Sequence, residues 1–325
     1  MKKLYPLKKI AYVYNQGFRK NYAAISVAQG FANAFMEMGF EFKTFDITRL
    51  KLSFVTGAKR DIIAFAPDII FTSVENIHYL PLDKLNNCNL VLWGQFYEPC
   101  DFEKQIVAIS RDTKNKLIRY RDKHRILIWS QHSDIINERF FKGYQNELGL
   151  EFVQLLHCAD KNQFAGPVSE PVFDFIWIGN TGHRKDVYNR VILPLKKASS
   201  NFVEFTEYNP ISPNQIFEKK YYSNAQIAIN VHTKAQLEHS ILLNERVFSS
   251  SFQGGFQICD NLLARQYFAE DELAIAGETS DYNDLLMFYK NNPEVRVAMI
   301  EKMQQKIQKF HLYEHRVNQV IDILT

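Results

Sequence analysis

Two arginines stand at the points where a chain of alternating strands and helices would place its chemistry. Arg246 lies in the stretch IAINVHTKAQLEHSILLNERVFSSSFQGGFQICD, residues 227–260, and Arg184 lies in IWIGNTGHRKD, residues 176–186. A guanidinium is a permanent cation with a planar fork, a shape suited to a phosphate group. Asn244 and Glu245 adjoin Arg246, Asn180 and His183 adjoin Arg184, and His232 and Asp260 close the two apolar runs on either side. Gly179 and Gly182 permit a tight turn with close backbone approach. A helix starting there would offer free N–H groups and the positive end of its dipole to an anion. There is no GxGxxG, so the dinucleotide fingerprint is missing. Plainer readings exist for each piece: an ordinary strand-to-helix turn, a surface i,i+4 network around Asn244–Arg246, and a structural His232.

The elements that must position these residues follow a strand–helix alternation. Strands are expected at 9–15, 42–47, 68–73, 89–94, 125–130 and 152–157, with helices at 21–38, before Pro67, at 101–122 and at 133–147. The segment ADKNQFAGPVSEP, 159–171, holds two prolines and a glycine and reads as a linker. The alternation then restarts. Strands are expected at 173–179, 202–207, 227–231, 256–259 and 273–277. Helices are expected at 184–198, after Pro213, across Asn244–Arg246, and at 281–291, 294–309 and 313–324. Continuous apolar strands between amphipathic helices imply parallel sheets covered on both faces. The expected fold is α/β, with two Rossmann-like doubly wound domains, 1–160 and 161–325, facing each other across a cleft. The last helix should cross back over the linker.

At 325 residues with 46% hydrophobic residues, two cores can form. No apolar run reaches the roughly 20 residues of a membrane helix, and the N-terminus lacks a signal-peptide pattern. A cytoplasmic protein is the expectation. Cys88, Cys100, Cys158 and Cys259 form no CxxC pair and read as buried thiols, with no metal site. A net charge of +3 does not supply the broad cationic surface that duplex DNA demands, so no nucleic-acid partner is expected. The run KNKLIRYRDKHR, 114–125, places Lys114, Arg121 and Arg125 near one helix face. It is either a solvated surface or a contact for anionic lipid at the inner face of the membrane.

The C-terminal third resembles the nucleotide-sugar-binding end of the glycosyl transferases group 1 family, in its spore-maturation-protein-like branch. The matching residues are Asn230, Asn244-Glu245-Arg246-Val247-Phe248, Gly254-Gly255, Asp260 and the tail His311-Leu312-Tyr313-Glu314-His315-Arg316. LLHCADKNQF, 155–164, resembles the family's end of the first domain, and FIWIGN the opening of its second. The likeness covers residues 152–325; residues 1–150 share layout only. It implies a GT-B fold and transfer of a sugar from a nucleoside diphosphate sugar to a hydroxyl acceptor, such as a cell-surface glycan. No cofactor is implied. No Asp-x-Asp motif ends a strand, so metal-independent transfer is expected, with the diphosphate held by Arg246, Arg184 and amides near Gly179 and Gly254-Gly255. Ser249 stands where the family usually keeps a glutamate expected to bind the donor ribose. Glu245 is read as facing the opposite side of the helix and as a poor substitute. Candidates for the acceptor base are Glu75, Glu98 and His132, with Asn15-Gln16-Gly17 lining the cleft floor. A sugar-nucleotide epimerase and a non-catalytic sugar-nucleotide-binding protein are the competing functions.

Overall fold

Valine, isoleucine, leucine and phenylalanine fill the strand centres, as strands covered on both faces require. β1 (Lys9–Tyr14), β2 (Glu41–Asp46), β3 (Ile69–Ser73), β4 (Asn89–Trp93), β5 (Ile126–Ser130) and β6 (Glu151–Gln154) form one sheet in the order β2-β1-β3-β4-β5-β6. β7 (Phe173–Ile178), β8 (Phe202–Phe205), β9 (Ala225–Asn230), β10 (Gln257–Cys259) and β11 (Ala274–Ile275) form a second, in the order β11-β10-β9-β7-β8. Every pairing in both sheets is parallel. The computed structural model describes residues 7–15, 22–94, 110–133, 136–238, 242–277 and 279–325.

The two sheets wind alike. The chain adds its second strand on one side of the first, then its third on the other. The order therefore reverses between β1 and β3, and again between β7 and β9. Loops leaving the carboxyl ends of strands at such a reversal are where open α/β sheets bind ligands. One compact unit holds Met1–Arg19, Phe31–Leu156 and Arg316–Thr325; the other holds Lys20–Gly30 and His157–His315. The final helix, Tyr313–Leu324, thus ends in the first unit, as the sequence predicts for a helix that returns.

In the second unit, alternate residues of β7, β9 and β10 cover opposite faces. Phe175, Trp177, Ile227, Ile229 and Ile258 pack with Tyr282, Leu286 and Met299. Ile176, Ile178 and Ala228 pack with Ile216 and Tyr222. The helix expected over 184–198 is broken into a 3-10 turn at Gly182–Arg184, a short α-turn, a π-turn at Tyr188–Ile192 and an α-turn at Leu193–Ala198. Pro194 has no N–H to return to the carbonyl of Arg190, so the preceding turn widens.

The helix expected across Asn244–Arg246 starts later. It spans Arg246–Phe252, with Glu245 as its N-cap and Asn244 before it, and all seven of its residues are buried. A surface network around Arg246 is thereby excluded. Val247, Phe248 and Phe252 pack against Phe268, Met303 and Ile307. The helix ends when Gly254 N–H donates to Ser251 O and Gly255 N–H to Ser250 O, each at 3.0 Å, with Gly254 at φ 80°. This paired left-handed ending is the usual use of glycine after a helix. Gln304 Nε2 adds a second donor to two of the end carbonyls, Ser251 O at 3.1 Å and Phe252 O at 3.3 Å. The tail motif is structural too: His311 lies 5.4 Å from the rings of Phe248 and Phe268, and Leu312 bridges to Ala159.

In the first unit, the basic run forms the helix Arg111–Arg121 and its continuation, and acids meet it. Lys114 pairs with Glu147 at 2.9 Å, Arg119 with Asp83 at 3.2 Å and Arg125 with Glu151 at 3.0 Å. Arg121 donates to Leu148 O at 2.8 Å. The face expected to meet lipid is therefore largely neutralised by these acids. Cys88, Cys158 and Cys259 are buried thiols, as expected; Cys100 lies outside the described residues. Among those residues no helix is long and apolar enough to cross a membrane.

A Cβ at Gly254 would lie 2.4 Å from Gly166 O, whereas one at Gly39, φ 85°, would meet nothing within 4 Å. Gly254→Ala should therefore destabilise by at least about 3 kcal/mol and Gly39→Ala by about 1 kcal/mol, compared by urea unfolding. Equal losses would show that the close approach at Gly254 costs nothing.

Candidate functional site at the carboxyl ends of β7, β9 and β10

His232, two residues beyond β9, is fully buried. Its Nδ1 lies 2.7 Å from Asp260 Oδ1, at the end of β10, and the Asp260 carboxylate also accepts from the His232 backbone N–H. The Asn244 N–H donates to His232 Nε2 at 3.1 Å. One nitrogen donates and the other accepts, so the ring is neutral in a fixed tautomer. Burial pulls its pKa down; Asp260 pulls it back up, and Arg246 and Arg184 push it down again. With both nitrogens engaged, His232 serves as a structural bridge, which was the plainer reading of its position.

A second polar chain runs beneath. Asn244 Nδ2 donates to Asn230 Oδ1 at 2.8 Å, and Asn230 Nδ2 to Gln257 Oε1 at 2.8 Å. Gln257 Nε2 donates to Val247 O at 2.7 Å and to Ser251 Oγ at 2.8 Å. Buried polar groups hold position when each finds a partner, because a partner lost costs about 1–3 kcal/mol. Together these contacts fix the head of the helix Arg246–Phe252 against the ends of β9 and β10.

Both arginines point to one place. Arg246 Nη2 donates to Val231 O at 3.2 Å, and Arg184 Nε donates to the same carbonyl at 3.1 Å. Val231 directly follows β9. Gly179 directly follows β7, and a Cβ there would lie 2.6 Å from the Trp177 ring and 3.3 Å from Arg246 Nη1, so its bareness makes room for the indole first and the guanidinium beside it. Among the described residues neither arginine has a carboxylate within ion-pair distance. Burial, and then the neighbouring Arg246, pull Arg184 down to about 9; Asp260 and Glu207 act against this at longer range. Two cations on one carbonyl repel each other, and an anion between or beside them removes the conflict.

The loop after β7 differs from the expectation of free amides. Glu207, just beyond β8, accepts from Thr181 N at 2.9 Å, Thr181 Oγ1 at 2.6 Å and Gly182 N at 3.3 Å. Asn180 Oδ1 accepts from His183 N at 3.0 Å, and Gly179 N donates to Phe205 O at 3.0 Å. These donors are already spent, so the groups left here that could meet an anion are the side-chain cations. Sequence reasoning missed Glu207, although its place at the end of a strand was readable. Asn180 shapes the turn, and the His183 side chain is exposed beside it.

Gly254 and Gly255 precede β10, at the amino edge of the sheet, opposite Asp260 at its carboxyl end. They end a helix and do not join the arginines. Glu245 and Ser249 are spaced i,i+4 and share a helix face, which corrects the reading of Glu245 as pointing away. Glu245 is 2% exposed, and its carboxylate accepts from Ser26 Oγ at 2.9 Å. Burial raises its pKa, against the lowering effect of the Ser249 and Ser26 hydroxyls and Arg246. A pocket of about 90 Å³ opens beside Asp260, lined also by Val231, Arg190, Leu237 and Tyr282.

His232, Cys259 and Asp260 bring ligand-type atoms within 4.8 Å of one another. They do not fit a cation: both His232 nitrogens are engaged, and burial, then Asp260, push the Cys259 thiol far above its ordinary range. In the first unit, Glu75 is exposed in the turn after β3. His132 is 2% exposed beyond β5, its ring 5.4 Å from Phe141. Asn15 follows β1, while Glu98, Gln16 and Gly17 lie outside the described residues.

Residues 199–322 match the glycosyl transferase-like family. The match contains Arg246, His232 and Asp260 and stops short of Arg184 and Gly179. No curated protein matches the chain. Among solved structures, an alpha-glucosyltransferase in complex with UDP and a 13-mer DNA containing a HMU base is similar at TM-score 0.54 and 9% identity. The similarity covers 98% of this chain and 99% of that one. S. aureus MnaA, solved with UDP, gives 0.50 at 9% identity over 98% and 97%. TarM gives 0.53 at 9% identity over 81% of this chain and 57% of TarM, so the chain spans little more than half of TarM's length. At such identities the likeness is one of fold. The chain is a two-sheet α/β protein of GT-B type, and the part of it from 199 to 322 is similar to a glycosyl transferase-like domain.

The His232 bridge has a pH signature. Its folded pKa lies below the ordinary 6.5, so near and below that pH the unfolded state binds more protons. Stability contributed by neutral His232 is full above pH 6.5 and is lost as pH falls toward the folded pKa. Urea unfolding between pH 7.5 and 5.5 should show a declining midpoint in the natural protein and a flatter profile in His232→Gln. Parallel profiles would contradict the bridge.

Proposed function

We propose that the protein transfers a sugar from a nucleoside diphosphate sugar to a hydroxyl acceptor. The observation that carries this is the convergence of Arg184 and Arg246 on the Val231 carbonyl, at the strand-order reversal between β7 and β9. Glycosyl transfer leaves a diphosphate behind while positive charge builds on the sugar. Fixed cations aimed at the leaving group stabilise the transition state without reorganising. The similarity of 199–322 to a glycosyl transferase-like domain supports this reading, as do fold neighbours solved with UDP.

In this reading the diphosphate lies against Arg184 and Arg246, with Gly179 giving it room. Glu245 is the nearest chemical equivalent of the ribose-binding glutamate, since it shares a helix face with Ser249; its bond to Ser26 must loosen for it to serve. The motifs at Asn244–Phe248 and His311–Arg316 favour the spore-maturation-protein-like branch. Transfer proceeds without a metal, the guanidiniums neutralising the diphosphate. Glu75 is the better-exposed candidate for the acceptor base, and the acceptor is a glycan or glycoconjugate.

Arg246→Ala and Arg184→Ala should each weaken UDP binding by about tenfold or more, since a hydrogen bond to a charged group is worth about 1.5–3 kcal/mol. Calorimetry showing unchanged affinity in both would remove the site. Turnover should survive EDTA; a loss restored by divalent cations would overturn metal independence. Incubation with donor alone separates transfer from epimerisation, because an epimerase converts the sugar with no acceptor present.

A further inference from the structure

The run 114–125 is matched by acids, but a second basic segment is not. Between Asp46 and Asp61 the chain reads ITRLKLSFVTGAKR, with Arg49, Lys51, Lys59 and Arg60 and no acidic residue. It forms three short pieces: helix Ile47–Lys51, a single turn Ser53–Thr56, and the start of helix Ala58–Phe65. Ile47, Leu50 and Ala58 face inward and anchor it. Its tip is apolar and turned to solvent: Phe54 is 87% exposed, Val55 74% and Leu52 50%. Among the described residues, none of the four cations has a carboxylate within ion-pair distance.

Adjacent exposed Leu, Phe and Val side chains cost free energy in water unless something covers them. Cations flanking an apolar tip have the layout of an interfacial anchor: rings and branched chains enter the acyl boundary while Lys and Arg remain at the headgroups. A nucleic acid would use the cations and leave the apolar tip uncovered. An acidic bilayer uses both, so the charge and the apolar tip favour the same occupant. We propose that Leu52, Phe54 and Val55, flanked by Arg49, Lys51, Lys59 and Arg60, dock this chain on an anionic membrane surface.

The position fits a membrane-borne acceptor. Helix Ile47–Lys51 directly follows β2, so the anchor stands at the carboxyl edge of the first sheet. Lys51 Nζ lies 4.9 Å from the Tyr79 ring, just past the turn that carries Glu75. Docking here brings the lipid surface beside the loops from which an acceptor would be presented. The proposal does not depend on the donor reading, because vesicle binding needs no nucleotide.

The full chain is floated with vesicles of phosphatidylcholine alone and with added phosphatidylglycerol. Binding should require the anionic lipid and fall with added salt, as surface attraction of this kind does. The Phe54→Ser/Val55→Ser and the Lys51→Glu/Arg60→Glu double variants should each lower binding by about tenfold or more. Lys114→Glu should leave it nearly unchanged. All these side chains are wholly or partly exposed, and circular dichroism checks that the variants fold. No binding to anionic vesicles at low salt overturns the proposal, as does binding that Phe54→Ser/Val55→Ser leaves intact. Light scattering that shows a dimer dissolved by that same variant assigns the tip to a second copy and also overturns it.

Discussion

The arrangement at the second sheet depends on one neutral imidazole. His232 ties the end of β9 to the end of β10 through Asp260, and ties both to the head of the helix Arg246–Phe252 through Asn244. Three elements distant in sequence are joined at a single ring. The ring can do this only while one nitrogen donates and the other accepts, which requires it to stay neutral. Its burial secures that state, and the two nearby arginines reinforce it. A histidine that looked like a candidate for chemistry is a structural bridge between three elements.

With that support in place, Arg246 becomes the first residue of a wholly buried helix, directed back at the Val231 carbonyl. Arg184 arrives at the same oxygen from the loop after β7, a loop held closed by Glu207 and Asn180. With the loop amides occupied, the two guanidiniums are the groups left at this place to meet an anion. Two guanidiniums sharing a neutral acceptor are a poor arrangement for stability alone and a good one for receiving an anion.

The strands, the helices after Gly277 and the returning last helix were legible because each carries its own periodicity and its own breakers. Arg246 and Arg184 were legible for a different reason: both follow a strand in a chain whose alternation implies a parallel sheet. The start of the helix at Arg246 was not legible, since LLNERVF continues a helical pattern through Asn244. Gly254-Gly255 resembled a ligand turn in sequence, yet they close a helix at the opposite edge of the sheet. The basic run 114–125 looked like a surface patch because its acids, Glu147, Glu151 and Asp83, lie far along the chain.

Sequence alone determined the α/β class, the parallel character of the sheets and the residue types able to hold a phosphate, because these follow from local pattern and side-chain chemistry. It could not determine which partners those residues meet. Strand order, the reversal between β7 and β9, the occupation of both His232 nitrogens and the shared Val231 carbonyl all depend on contacts between segments a dozen or more residues apart. The same holds for exposure. LKLSFV reads as one more apolar stretch, and only the packing of Ile47, Leu50 and Ala58 beneath it leaves Phe54 and Val55 in solvent. Burial is decided by what folds against a segment, and that information is not carried by the segment itself.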